Sequence, residues 1–282
     1  MKPIQLALWF VACAFAATDS LDAAEPQLPA LQRVNLSSTL DGETQPVLYW
    51  APESAKTETT PLFVFLHSWS SDYRQDNSKW QQVAVDNNWI YLHSDFRGEN
   101  NTPAACGSRL ARQDILDAMD WACRTFQVDA SRVYLAGVSG GGHMSMLMAG
   151  HHPDRFSAVS AWVGIGDLAE WHRFHNRTGK LDKYGQMIEA SLGGAPGTSA
   201  EIDAQYRDRS PVFHIHRAAV GDDPLPITIW AGVDDGHSGS VPVDHSLRPF
   251  NRIAEQAGAL PVSESEIQQL LKDRRLLAPT PS

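Results

Sequence analysis

The residues with the clearest chemical meaning are Gly137-Val138-Ser139-Gly140-Gly141, between the apolar run Arg132 to Ala136 and a helical segment around Met144 to Ala149. A serine framed in this way stands on a strand-to-helix turn too tight for bulky neighbours. It also stands at a helix N-terminus, where amides and the helix dipole favour a developing oxyanion. Ser139 is therefore the candidate nucleophile for acyl transfer, with the Gly140 amide as one oxyanion donor. A second donor is expected from His67-Ser68-Trp69-Ser70-Ser71, the loop after the apolar run Pro61 to Leu66, through the amide of Ser68 or of Trp69 beside it. A triad acid belongs just past the C-terminal end of a strand, where it orients a histidine and stabilises its cation. Asp235 meets that condition after the late apolar run Pro226 to Ala231 and is preferred to Asp234. The base is harder to place, because no histidine follows His245. His237 lies two residues after Asp235, with Gly236 between them able to supply a turn, and is the first choice; His245 is the second.

These groups need a scaffold that brings several loops to one edge. Arg33 to Leu40 and Pro46 to Trp50 alternate around Asp41-Gly42, a hairpin pattern. Strand-like runs then follow at Pro61 to Leu66, Trp89 to Leu92, Arg132 to Ala136, Phe156 to Val163 and Pro226 to Ala231. Helical segments separate them, around Asn77 to Asp86 and Leu110 to Phe126, the latter with Asp114, Asp117 and Asp120 assigned to its solvent face. This alternation calls for an α/β fold with a mostly parallel sheet flanked by helices. A last helix is expected over Leu260 to Leu277, capped by Ser263 with Glu266 three residues on. Residues 164–210, carrying Trp171, Phe174, Tyr184 and Met187, read as a lid or cap insertion over the site.

Composition narrows the class. The 282 residues carry a formal charge of −10 and are 43% hydrophobic, which argues against disorder, and no Lys/Arg stripe suggests nucleic acid as a partner. Residues 1–24 read as an export signal: Lys2, an apolar run from Ile4 to Ala17 too short to span a bilayer, then small residues. The mature domain is then residues 25–282, periplasmic or extracellular, with a lipid anchor on Cys13 less favoured. Cys106 and Cys123 remain as an even pair in an exported chain, and a disulfide between them is expected. No metal or other cofactor is implied, and His143, His172, His175, His214 and His216 read as packing, lid or surface residues.

The stretch Phe126 to Met144, with Asp95-Phe96-Arg97-Gly98, Pro153-Asp154-Arg155-Phe156, Ser210-Pro211 and Val241-Pro242, resembles prolyl oligopeptidase-like α/β-hydrolases and secreted feruloyl and polyhydroxyalkanoate esterases. The resemblance spans roughly residues 60–258. It implies an α/β-hydrolase fold and a serine hydrolase acting on a carbohydrate ester, another small ester or a peptide. In that family the histidine follows a final strand, some tens of residues beyond the acid, and no such strand is visible here. Three expectations follow: a chain truncated before that strand, a base relocated to His237 or His245, or an inactive relative that binds a ligand. Only about 35 mature residues precede the first buried strand, so the large gating propeller of true prolyl oligopeptidases is not expected, which modestly favours an ester substrate.

Overall fold

The computed structural model describes residues 28–276. The expected signal segment and Cys13 lie outside the described residues. The hairpin forms as β1 (Gln32–Ser37) and β2 (Thr44–Trp50), antiparallel, with Gly42 in the turn at φ 79°. Five further strands complete the sheet: β3 (Thr60–Leu66), β4 (Ile90–Ser94), β5 (Val128–Val138), β6 (Ala158–Trp162) and β7 (Ile227–Trp230). The order is β1-β2-β4-β3-β5-β6-β7, and every pairing from β4 to β7 is parallel. Among the described residues the sheet ends at β7. β3 is buried along its whole length because α1 (Ser78–Asp86), α2 (Arg109–Thr125) and α3 (Gly140–His151) cover the two faces of the sheet. A continuous apolar run is what such a doubly covered strand requires. After β7 come α7 (Asp244–Gln256) and α8 (Glu264–Asp273), the latter closed by the expected Ser263–Glu266 capping box.

Two expectations are corrected here. Asp114 and Asp117 of α2 do not face solvent: they are 3% and 8% exposed. Arg97 donates to Asp114 and to Asp41 of the hairpin turn, while Thr39 donates to Asp117 through both its amide (2.7 Å) and its hydroxyl (2.8 Å). The acidic face of α2 thus pins the hairpin to the domain. The second correction concerns the disulfide: Cys106 and Cys123 are free thiols, one buried and one exposed. Cys106 precedes α2 and Cys123 lies near its end. At about 1.5 Å per residue that separates them by roughly 20 Å along the axis, against the ~6 Å between Cα atoms that a disulfide spans.

Between β6 and β7 the chain builds three helices, α4 (Leu168–His175), α5 (Lys183–Leu192) and α6 (Ala200–Asp208). Trp171, Met187, Ile188, Leu192 and Tyr206 form a cluster that reaches down to Trp69 of the loop after β3. This packing joins the inserted helices to the edge of the sheet where Ser139 emerges.

Candidate active site

β5 ends at Val138, Ser139 follows with φ 57° and ψ −115°, and α3 begins at Gly140. Positive φ is costly for a residue with a Cβ, so the neighbours must impose it. The Ser139 amide donates to the Trp162 carbonyl on β6 (2.8 Å), and the Ser139 carbonyl accepts from the His143 amide one turn along α3 (2.9 Å). The glycines are needed because backbone crowds them from all sides. A Cβ on Gly137 would lie 2.4 Å from Gly141, and one on Gly141 only 2.1 Å from the Leu66 carbonyl oxygen. A Cβ on Gly140 would lie 2.3 Å from the Trp69 amide nitrogen.

That last approach sets the loop after β3 directly against the serine turn and identifies its free donor. The Ser68 amide already donates to the Gln75 side chain (2.8 Å). The amides of Trp69 and Gly140 make no hydrogen bond among the described residues. Of the two amides the sequence offered in this loop, Ser68 is therefore spent and Trp69 is available. Trp69 is held by its own ring, which is 1% exposed and meets Trp171 edge-on at 4.6 Å.

Asp235 lies on the loop after β7, at the same edge of the sheet and two strands from Ser139, or about 10 Å at ordinary strand spacing. Its carboxylate turns back to accept the Gly232 amide (2.7 Å), and partial burial raises its pKa. Asp234 instead pairs with Arg274 (3.3 Å). Gly236 has φ 84°, and a Cβ there would lie 2.7 Å from Pro242, so the turn that separates Asp235 from His237 needs glycine. His237 is exposed. Among the described residues its ring makes no hydrogen bond to Asp235 or Ser139.

Asp235, His237 and His245 do share one cleft of about 430 Å³, walled by α4 and by Pro242 and Leu271; Ser139 does not line it. His245 is 4% exposed, and its Nδ1 accepts the amides of Gly166 (3.2 Å) and Asp167 (3.4 Å) at the start of α4. The proton of the neutral ring must then sit on Nε2. Such a ring has no lone pair to offer the Ser139 hydroxyl, so its fixed tautomer argues against His245 as the base.

The remaining histidines have structural partners that the sequence did not reveal. His172 and His175 are buried among the helices between β6 and β7 rather than on their surface: His172 meets Glu189 (2.8 Å), and His175 bridges Asp182 (2.7 Å) to the Ser240 carbonyl (3.0 Å). The Trp171 indole donates to that same carbonyl (2.7 Å), so α4 is tied to the loop after β7. His143 packs under the serine turn, with Nδ1 on the Ile165 carbonyl (2.9 Å), and burial lowers its pKa to about 4. His151, Asp208 and His214 bring ligand atoms within 4.8 Å of one another. Arg112 already bonds His151 (3.0 Å) and Asp208 (3.1 Å) there, filling with a guanidinium the place a metal ion would take.

Comparison with known proteins agrees with this architecture. The profile of the prolyl oligopeptidase family matches residues 77–262. The rice (Oryza sativa subsp. japonica) acylamino-acid-releasing enzyme 1 is 25% identical over 215 residues, which cover 70% of this chain and 25% of that protein. Acetylxylan esterase A of Emericella nidulans is 39% identical over 51 residues, covering 18% of this chain and 17% of the esterase. Among solved structures, the uncomplexed acylaminoacyl peptidase of Pyrococcus horikoshii superposes with a TM-score of 0.61 at 19% identity, covering 83% of this chain and 36% of that one. Prolyl oligopeptidase B of Galerina marginata gives 0.62 at 18% identity, covering 86% and 35%. The chain therefore spans about a quarter of the rice enzyme and about a third of the solved chains.

Proposed function

The chain belongs to the prolyl oligopeptidase family, and from that premise we propose that it is an exported serine hydrolase working through an acyl-enzyme on Ser139. The Ser139 hydroxyl attacks the acyl carbon, and the carbonyl electron pair moves onto oxygen. The amides of Gly140 and Trp69 then stabilise that oxyanion. His237 takes the hydroxyl proton and returns it to the departing alkoxide or amine, with Asp235 orienting the ring. Water repeats the sequence in reverse and frees the acid. The observation that carries this reading is the positive φ of Ser139, held beside two uncommitted amides. Strained backbone of this kind collects where function requires it.

The preferred substrate is a carbohydrate ester, with other small esters next and peptides last. The short match to an acetylxylan esterase supports that preference. Export rests on Lys2 and the apolar run that follows it. A fluorophosphonate probe tests the central claim: it should label the wild-type protein and not Ser139→Ala, and labelling that survives the substitution refutes the assignment.

A second reading is a binding protein on the same fold. It is favoured by one observation: the Asp235 carboxylate is engaged by Gly232 and no histidine ring bonds Ser139 among the described residues. On that reading neither protein is labelled. His237→Ala decides the base, since unchanged ester turnover in that variant excludes His237.

A further inference from the structure

His245 lines the cleft beside the acid loop, and the proposed chemistry does not use it. His245 is 4% exposed, its Nδ1 is committed to the Gly166 and Asp167 amides, and its Nε2 makes no hydrogen bond among the described residues. The residue lines the cleft of about 430 Å³ together with Asp235 and His237. Because the Nδ1 contacts fix the tautomer, Nε2 carries a hydrogen and presents a neutral donor. With no protein partner among the described residues, that donor is available to a ligand that supplies an oxygen acceptor.

The rest of the lining defines that ligand. Glu170, Asp235 and Asp244 bring three carboxylates into the wall, against Arg173 as the one guanidinium. Glu170 pairs with Arg173, and Asp244 pairs with Arg248 (3.2 Å). An anionic ligand would meet a net negative wall. A neutral polyol would not: its hydroxyls donate to Glu170 and Asp244 and accept from His245. Phe174, Pro242 and Leu271 supply the apolar surface that the C–H face of a sugar ring covers.

We propose that His245 is a specificity-determining residue whose Nε2–H recognises a hydroxyl or ring oxygen of a neutral sugar, so that this cleft holds the carbohydrate part of the ester. The inference rests on the ester-hydrolase reading and deepens it. His245→Asn is the informative substitution. Its Oδ1 stands near the place of Nδ1 and still accepts the amides that open α4, while nothing reaches the position of Nε2.

The primary measurement is calorimetric titration of an unacetylated xylo-oligosaccharide into the full-length protein, which needs no catalysis. Binding to wild type, weakened about ten- to a hundredfold in His245→Asn, is the expected result. Absence of wild-type binding, or equal affinity in the two proteins, overturns the proposal. The second measurement is the ratio of kcat/KM on an acetylated xylo-oligosaccharide to that on p-nitrophenyl acetate, which should fall by a similar factor in the variant. An unchanged ratio also overturns it, as does a wild type that prefers an acetyl-peptide anilide to the sugar ester. If His245→Asn does not fold, competitive inhibition of wild-type p-nitrophenyl acetate hydrolysis by the unacetylated oligosaccharide decides the matter, and no inhibition refutes it. Binding without any turnover would leave this inference standing while the reading of Ser139 fails.

Discussion

Replacing Ser139 by glycine and by alanine separates the chemistry of the nucleophile from the conformation that presents it. Both substitutions remove the hydroxyl, and neither removes a helix cap, because the Ser139 side chain makes no capping bond to α3. They differ in what φ 57° with ψ −115° demands. Alanine keeps the Cβ and therefore the strain, which for a residue in such a region is on the order of 1–3 kcal/mol. Glycine adopts the conformation freely, but its unfolded chain has more freedom to lose, worth about 0.4–1 kcal/mol in the other direction. The difference leaves Ser139→Gly more stable than Ser139→Ala by about 0.5–2 kcal/mol. For a domain of this size each kcal/mol moves Tm by about 2–4 °C. Thermal denaturation of the two variants side by side should therefore show the glycine form melting a few degrees higher, with neither form labelled by a fluorophosphonate. An alanine variant as stable as the glycine variant, or more so, would refute the claim that this turn stores strain.

In a Cys13→Ser background, thiol titration should find one reactive cysteine, Cys123, in the native protein and a second, Cys106, only after unfolding, since burial pushes the Cys106 thiol up to about 12; a protein with no free thiols would restore the disulfide. Arg97→Ala strands the Asp114 carboxylate inside the domain and should cost about 3–5 kcal/mol in chemical denaturation, part of it recovered by Asp114→Asn. Gly140→Ala drives a methyl group to 2.3 Å from the Trp69 amide nitrogen and displaces one oxyanion donor. It should lower kcat on p-nitrophenyl acetate by about 10²–10³, and unchanged kcat would remove Trp69 from the oxyanion site.

Much of the scaffold was legible because its signals are local. A continuous apolar run such as Pro61 to Leu66 can only be satisfied by cover on both faces, and Asp41-Gly42 supplies the positive φ that its hairpin needs. The helix α7 has no counterpart in the sequence reading; Pro249 lies buried in its interior, a position where proline ordinarily breaks a helix. Asp114 and Asp117 were assigned to solvent because periodicity reports a polar face without saying what packs on it. Their partners, Arg97 and Thr39, are 17 and 78 residues away. The cysteines fail for the same reason, since parity in a sequence says nothing of the rigid helix between them.

Of the site, the serine turn is the part a sequence can carry, because five consecutive residues contain nearly all its geometry. For the loop proposed to hold the oxyanion, the position follows from the strand before it, but the choice between Ser68 and Trp69 turns on Gln75, whose side chain consumes the Ser68 amide. The histidines were the least legible. A ring nitrogen becomes a base, a cap or a clamp according to what the other nitrogen meets, and those partners come from distant elements: Gly166 for His245, Asp182 and Ser240 for His175, Ile165 for His143. Three rings are fixed in this way, whereas the His237 ring is exposed and committed to no bond among the described residues. A general base needs a free lone pair and room to turn toward the nucleophile, and of the histidines near the acid loop His237 alone retains both.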